Sequence, residues 1–198
     1  MKAVPTHRYL LYAAIVAAGC AADLLTKRWI FDKLGMPSRT RDTLWLVDGV
    51  LGLTTSLNEG ALFGIGRGQG MVFSLLSVVA AVGILYWLFI ARAAHDRLLT
   101  VALGMVTGGI LGNLYDRLGL PGLHWNNGPL HSQGQPVYAV RDWVHFKIDQ
   151  VVDWPIFNVA DSLLVCGAAL LIGHALLFPR PAVPAASARP ADSATPTV

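Results

Sequence analysis

Four charge-poor stretches dominate the pattern along this chain. Residues 68–91, 98–115 and 162–179 contain no Asp, Glu, Lys or Arg, and 9–22 is a further such run before Asp23, Lys27 and Arg28 interrupt it. A bilayer is crossed by about 20 mainly apolar helical residues, so the pattern predicts transmembrane helices near 9–30, 71–91, 98–117 and 157–178. The connectors between them are unequal. The 92–97 connector is short and carries Arg92 and Arg97, whereas 32–70 and 118–156 are long and mixed in charge. Within 50–57, Leu51, Leu53 and Thr55 alternate with their neighbours as in a strand. A small platform built from the first long segment is expected there, because its backbone polar groups need partners outside the spans. The expected fold is therefore an all-α membrane protein of four transmembrane helices with a small extracytoplasmic β-containing platform. One integral membrane domain would cover 1–178, and 179–198 would be a Pro/Ala-rich disordered cytoplasmic tail.

Composition agrees with that class and excludes others. Of 198 residues, 54% are hydrophobic and only 14% are charged, against about 25% charged in ordinary soluble domains. Cys20 and Cys166 both sit inside apolar runs, which rules out a disulfide scaffold. A net charge of +3 suggests nucleic acid at first sight, but the 15 Lys and Arg are scattered, so no nucleic-acid partner is expected. Lys2, Arg8 and the basic 92–97 connector point to both termini being cytoplasmic. The long segments also carry Lys and Arg, so parity is the firmer guide. With four spans, the end of helix 1, segment 32–70, the end of helix 3 and the start of helix 4 share one membrane face, whichever way the chain inserts. Asp23, Lys27, Asn58, Asn113, Asp116, Arg117, Asn158 and Asp161 all fall there. The N-terminus has a second reading: a charged start, an apolar run and Ala17-Ala18-Gly19-Cys20 are similar to a lipoprotein signal peptide with Cys20 as the mature N-terminus. Ala17 stands where a bulky aliphatic residue is usual and three spans follow, so a small apolar cysteine in a helix is preferred.

An ionisable residue inside a span is a functional hypothesis by default. Asp116 closes helix 3 and Asp161 opens helix 4, and each has an Asn three residues upstream, Asn113 and Asn158, on the same helix face. Two converging carboxylates share one proton, so one acts as general base on a water and the other as general acid. The dipoles of the two helices would leave Asp161 ionised and put the shared proton on Asp116 if Arg117, which pulls the other way, points to lipid headgroups or substrate; otherwise the proton sits on Asp161. The structural alternative has Asn158 capping helix 4, with Asp161 in its first turn, and Asp116 and Arg117 ending helix 3 at the interface. Asp23 and Lys27, four apart, are spaced for an ion pair in a supporting role, with substrate contact as the second choice. The stretch 60–70 contains five glycines but fits neither a Walker loop nor Gly-x-Gly-x-x-Gly. No His-Glu-x-x-His occurs and the six histidines lack metal spacing, so no metal is expected. Gly-x-Ser-x-Gly is absent too.

At these residues the sequence resembles the lipoprotein signal peptidases, or signal peptidase II, bacterial four-helix membrane aspartic peptidases. Five stretches match in order: Asp23-Leu24-Leu25-Thr26-Lys27; Asn58-Glu59-Gly60-Ala61-Leu62-Phe63; Gly112-Asn113-Leu114-Tyr115-Asp116-Arg117; Val140-Arg141-Asp142-Trp143; and Phe157-Asn158-Val159-Ala160-Asp161-Ser162. The resemblance implies a bacterial inner-membrane enzyme with its active site near the outer face. It implies cleavage of diacylglyceryl-modified prolipoproteins on the amino side of the lipidated cysteine, with Asp116 and Asp161 as the catalytic pair. It further implies Asn58, Gly60, Asn113, Arg117 and Asn158 as site-lining or substrate-binding residues, and Asp23, Lys27 and Asp142 as supporting ones. Lipid-modified prolipoproteins and membrane lipid are the expected partners. No cofactor is called for, and nothing demands more than a monomer. One departure stands out: 118–139, with Pro121, Trp125, Pro129 and Pro136, is longer than the usual connection between the third and fourth motifs. A proton-coupled transporter is the main competing class, and a structural lipoprotein resting on Cys20 the third. Four spans without an internal repeat speak against most transporters.

Overall fold

The structure, a computed structural model, describes residues 3–38, 43–60, 66–126 and 131–177. The tail from 178 onward and Ala61, Leu62 and Phe63 of the second motif lie outside the described residues. Four helices are long and apolar enough to cross a membrane. They are α1 (Thr6–Leu34), α2 (Gly70–Leu85, extended by a π turn over Tyr86–Ile90), α3 (Arg97–Arg117) and α4 (Val159–Leu177). Each falls where the charge-free stretches predict it. The first is longer than expected because its last turns leave the apolar zone, where Arg28 and Asp32 form an exposed ion pair.

Helix α3 is the axis of the bundle. Of its apolar stretch 61% is buried, against 11–17% for the other three. Those three present their remaining surface outward, as lipid-facing helices must. Glycines explain the central position. A Cβ at Gly109 would stand 2.5 Å from the Ala160 carbonyl oxygen, and one at Gly112 would run into the Asp23 carboxylate. Their absence lets α4 and α1 approach the α3 backbone directly, which is how membrane helices gain packing without a hydrophobic drive between them. Toward the N-terminal end of α3, Tyr12, Leu88, Ala94, Leu99 and Leu103 form an apolar core. The Asp96 side chain caps α3 by accepting from the Leu99 N–H at 3.0 Å, and the same carboxylate meets His174 of α4.

The other end carries a four-stranded antiparallel sheet in the order β1 (Leu44–Val47), β2 (Leu51–Asn58), β3 (Val140–Ile148), β4 (Val152–Asp153). The expected strand is β2, displaced by one residue. The first long segment supplies β1 and β2 of the expected platform, and the second long segment adds β3 and β4. A lone β1–β2 hairpin would leave the other edge of β2 with unpaired N–H and C=O groups, and β3 satisfies them. Ile30, Phe31 and Leu53, with Leu57 and Trp143 packed on them, join the sheet to the last turns of α1.

Candidate active site

The polar residues of all five motifs meet between the sheet and the helix ends, at one end of the bundle as parity requires. Among them Lys27 has no exposed surface. Its Nζ lies 2.7 Å from Asp23 Oδ2, 2.9 Å from Asn113 Oδ1 and 3.0 Å from Asp116 Oδ2. Three oxygens around an ammonium match its three donors, which is what makes a buried lysine tolerable. Asp23 ties in α4 as well, since its Oδ1 accepts from the Ala160 N–H at 2.9 Å.

Asp116 is also fully buried, and its oxygens are occupied by cations. Arg141 Nε and Nη2 both lie 2.8 Å from Oδ1, while Oδ2 takes the Arg141 backbone N–H at 3.1 Å beside Lys27. Two positive groups on one carboxylate hold it as an ion pair and leave it no lone pair for water. The expected convergence of Asp116 on Asp161 is corrected on this ground.

The carboxyl group facing Asp161 is that of Asp142. Strand alternation explains the exchange: Arg141 points to Asp116, so its neighbour in β3 points the opposite way. Asp142 is 2% exposed. Burial pushes its carboxyl up to about 8 and the charge of Asp161 pushes in the same direction, against hydrogen bonds from Asn158 and Asn58 and the charge of Lys27. Asp161 is half-buried in the first turn of α4. Its Oδ1 accepts from Asn113 Nδ2 at 2.9 Å and its Oδ2 from the Asn158 N–H at 3.1 Å, while its own N–H donates to Asn158 Oδ1 at 2.9 Å. Asn158 thus caps α4 reciprocally, as the structural alternative expects. It also does more, because its Nδ2 donates to Asp142 Oδ1 at 2.6 Å and reaches Asn113 Oδ1 at 3.2 Å.

Two cavities meet at this pair. One of about 340 Å³ lies between α2, α3 and α4, with Ser77, Ile110, Leu164 and Val165 around Asn113, Arg117 and Asp161. The other, about 500 Å³, is a polar cleft in the platform that includes Asn58, Glu59, Gly60, Arg67, His145 and Asp142. Arg117 bridges them. Its Nη2 donates to the Gly60 carbonyl at 3.0 Å, and its guanidinium stands over the Phe73 ring. Gly60 is held from its other side too, its N–H donating to Asn58 Oδ1 at 2.9 Å.

A family model described as Signal peptidase (SPase) II matches residues 15–177. This chain belongs to the signal peptidase II family. It is 47% identical over 170 residues to the lipoprotein signal peptidase of Rhodopirellula baltica, covering 86% of this chain and 73% of that one. The lipoprotein signal peptidase of Bacillus subtilis is 35% identical over 173 residues, covering 85% and 94%. A solved bacterial membrane enzyme is similar with a TM-score of 0.65 and 26% identity, over 89% of this chain and 91% of that one. Membership makes the chain a multi-pass membrane peptidase.

Set in that family, the fold gathers Asn58, Gly60, Asn113, Arg117, Asp142 and Asp161 around the two cavities, with fully buried Asn158 bonded to both aspartates, and Asp23, Lys27 and Asp116 in the ion cluster beneath. Arg141 is the member that sequence reasoning passed over. Its signal was present: a basic residue in a motif, next to an acid, must serve a buried acid elsewhere if that strand is covered. Of the long 118–139 insert, residues 127–130 lie outside the described residues; His131 stacks on Trp125 and meets Glu59 of the second motif at 2.7 Å, with Arg67 on the same carboxylate at 2.8 Å.

Proposed function

We propose that this chain is an aspartic endopeptidase that removes the signal peptide from diacylglyceryl-modified prolipoproteins, on the amino side of the lipidated cysteine, with Asp142 and Asp161 as the catalytic pair. The observation that carries this reading is the buried carboxyl of Asp142, free of any cation contact among the described ion pairs, raised to about 8 and linked to Asp161 through Asn158. At neutral pH one member is then an acid while the other, with both oxygens accepting, is a base. Asp161 takes a proton from the water as its oxygen attacks the scissile carbonyl carbon, and Asp142 donates its proton to the carbonyl oxygen. When the tetrahedral diol collapses, the C–N bond breaks and the amine nitrogen takes the proton held by Asp161. The diol hydroxyl returns a proton to Asp142, restoring both groups. Arg117 and Asn58 hold the backbone at Gly60 and so shape the wall against which the scissile peptide lies. Asp116 acts as a positioning residue: it holds Arg141, and through the strand it aims Asp142.

The apolar cavity between α2, α3 and α4 suits a substrate that arrives within the bilayer, and the polar platform cleft suits the polypeptide beyond the cut. The platform then faces the outer side of a bacterial inner membrane. Both termini are cytoplasmic, since Arg8, Arg92 and Arg97 lie toward the opposite end. A monomer contains every group the reaction uses. The test is cleavage by the purified chain in detergent of one prolipoprotein with and without its diacylglyceryl group. Rapid cleavage of the lipidated form alone is expected, because each buried methylene adds about 0.8 kcal/mol to membrane partition. Equal turnover of both forms would refute the lipid requirement, and cleavage retained by Asp142→Asn or Asp161→Asn would refute the pair.

A further inference from the structure

We propose that Lys27 is a positioning residue for hydrolysis, because its donor-only ammonium sets the direction of the Asn113 amide that reaches Asp161 and supports that of Asn158, which reaches Asp142. This rests on the pair assigned above. An Asn side chain can face a neighbour with its carbonyl or with its NH₂, and the two orientations fill nearly the same space. At Asn113 the choice is forced. Lys27 Nζ, 2.9 Å away, can only donate, so Oδ1 must face it. Nδ2 is thereby turned to Asp161, donating to Oδ1 at 2.9 Å. The same Asn113 oxygen receives Asn158 Nδ2 at 3.2 Å, which matches and reinforces the direction that the Asp161 N–H requires of the second amide. Asn158 then donates to Asp142 Oδ1 at 2.6 Å and accepts the Asp161 N–H at 2.9 Å. One lysine in α1 thus reaches both aspartates through two amides on α3 and at the start of α4.

The outcome is an asymmetric pair. Both Asp161 oxygens accept, one from Asn113 and one from the Asn158 N–H, so this member is arranged to receive the proton of water. Asp142 has Oδ1 engaged as an acceptor from Asn158 at 2.6 Å and takes a further hydrogen bond from Asn58. Without Lys27 only the 3.2 Å contact from Asn158 Nδ2 keeps the Asn113 amide from turning. Once turned, its oxygen would face Asp161 Oδ1, two acceptors with no hydrogen between them, a contact relieved only by protonating the base.

Lys27 also balances charge, since it and Arg141 face Asp23 and Asp116, and the experiment must separate the two roles. Lys27→Met alone leaves an excess negative charge in the cluster, whereas Lys27→Met combined with Asp23→Leu restores neutrality without introducing a donor toward Asn113. Both variants are assayed as full-length chains in detergent with lipidated prolipoprotein over a pH series, with thermal unfolding as the control for folding. The double variant is expected to fold and to keep KM within about twofold. It should lose roughly a hundredfold in kcat, at the low end of what a general base contributes. The acid limb of its kcat/KM profile, which belongs to the pair, should move up by about one pH unit. Parental kcat and an unmoved acid limb in the double variant would overturn the proposal and leave Lys27 as charge balance. Failure of both variants to fold would overturn it too, by making Lys27 structural. Asp142→Asn and Asp161→Asn, run alongside, separate the readings: activity in either removes the pair, while a dead pair with a normal double variant removes only the role of Lys27.

Discussion

Replacing Asp142 by Asn should abolish cleavage and stabilise the protein. An unfolded aspartate titrates near 3.9, whereas in the fold Asp142 is pushed up to about 8. Between those values the folded chain holds a proton that the unfolded chain has released, so stability falls as pH rises through the window. Each pH unit removes about 1.4 kcal/mol, which amounts to about 1–2 kcal/mol at pH 5 and about 4 kcal/mol at pH 7. An amide at the same position stays neutral and keeps an oxygen for Asn158 Nδ2, so Asp142→Asn escapes this loss. Asp116→Asn should do the opposite. It leaves Lys27 and Arg141 buried with one negative partner fewer, and breaking such a pair costs about 3–5 kcal/mol. The assay is thermal unfolding in detergent of the parent and both variants from pH 5 to pH 8, with cleavage measured on the same preparations. The advantage of Asp142→Asn over the parent should widen with pH, while Asp116→Asn unfolds below the parent throughout. A pH-independent gap for Asp142→Asn, or destabilisation by it, would refute the reasoning that makes Asp142 the acid.

Because Asp142 must be protonated to act, kcat/KM should fall above a limb near pH 8, and a profile flat to pH 9 would contradict that role. Gly109→Ala puts a methyl 2.5 Å from the Ala160 carbonyl oxygen. It should push the start of α4, with Asp161, away from α3, costing about 1–3 kcal/mol and most of the kcat; parental kinetics would contradict the packing argument. Asn158→Ala should lose about 1 kcal/mol with the cap and all measurable cleavage with the link between the aspartates; retained turnover would reduce Asn158 to a cap. Reporter fusions in the 92–97 connector should read as cytoplasmic and those in 131–139 as external, and the reverse pattern would invert the assigned orientation.

Much of the fold was legible in the chain because each signal is local. Four runs without charge give four helices, since a bilayer penalises any polar group in the run independently of what packs beside it. The alternation around Leu51, Leu53 and Thr55 marks β2 for the same kind of reason. Parity then places Asp23, Lys27, Asn113, Asp116, Asn158 and Asp161 at one end before any contact is known. The matching Asn-x-x-Asp spacings even reveal which amides matter, because residues three apart on a helix are neighbours.

Which carboxyl groups face one another is a different kind of fact. The two helical aspartates share a spacing, but that spacing describes each helix by itself and not the rotation of one against the other. Close approach at Gly109 and Gly112 fixes that rotation, and it brings Asp116 against Lys27 and, through the sheet, against Arg141. The alternation of β3 then delivers Asp142 to Asp161. Asp142 lies 19 residues before Asp161 in a strand whose partner, β2, is more than 80 residues upstream. The sequence by itself determines the spans, the shared end and the set of polar residues that meet there. Only the tertiary structure decides which acid is neutralised by cations and which keeps its proton, because a carboxyl group's state follows from the charges and donors within a few ångströms of it.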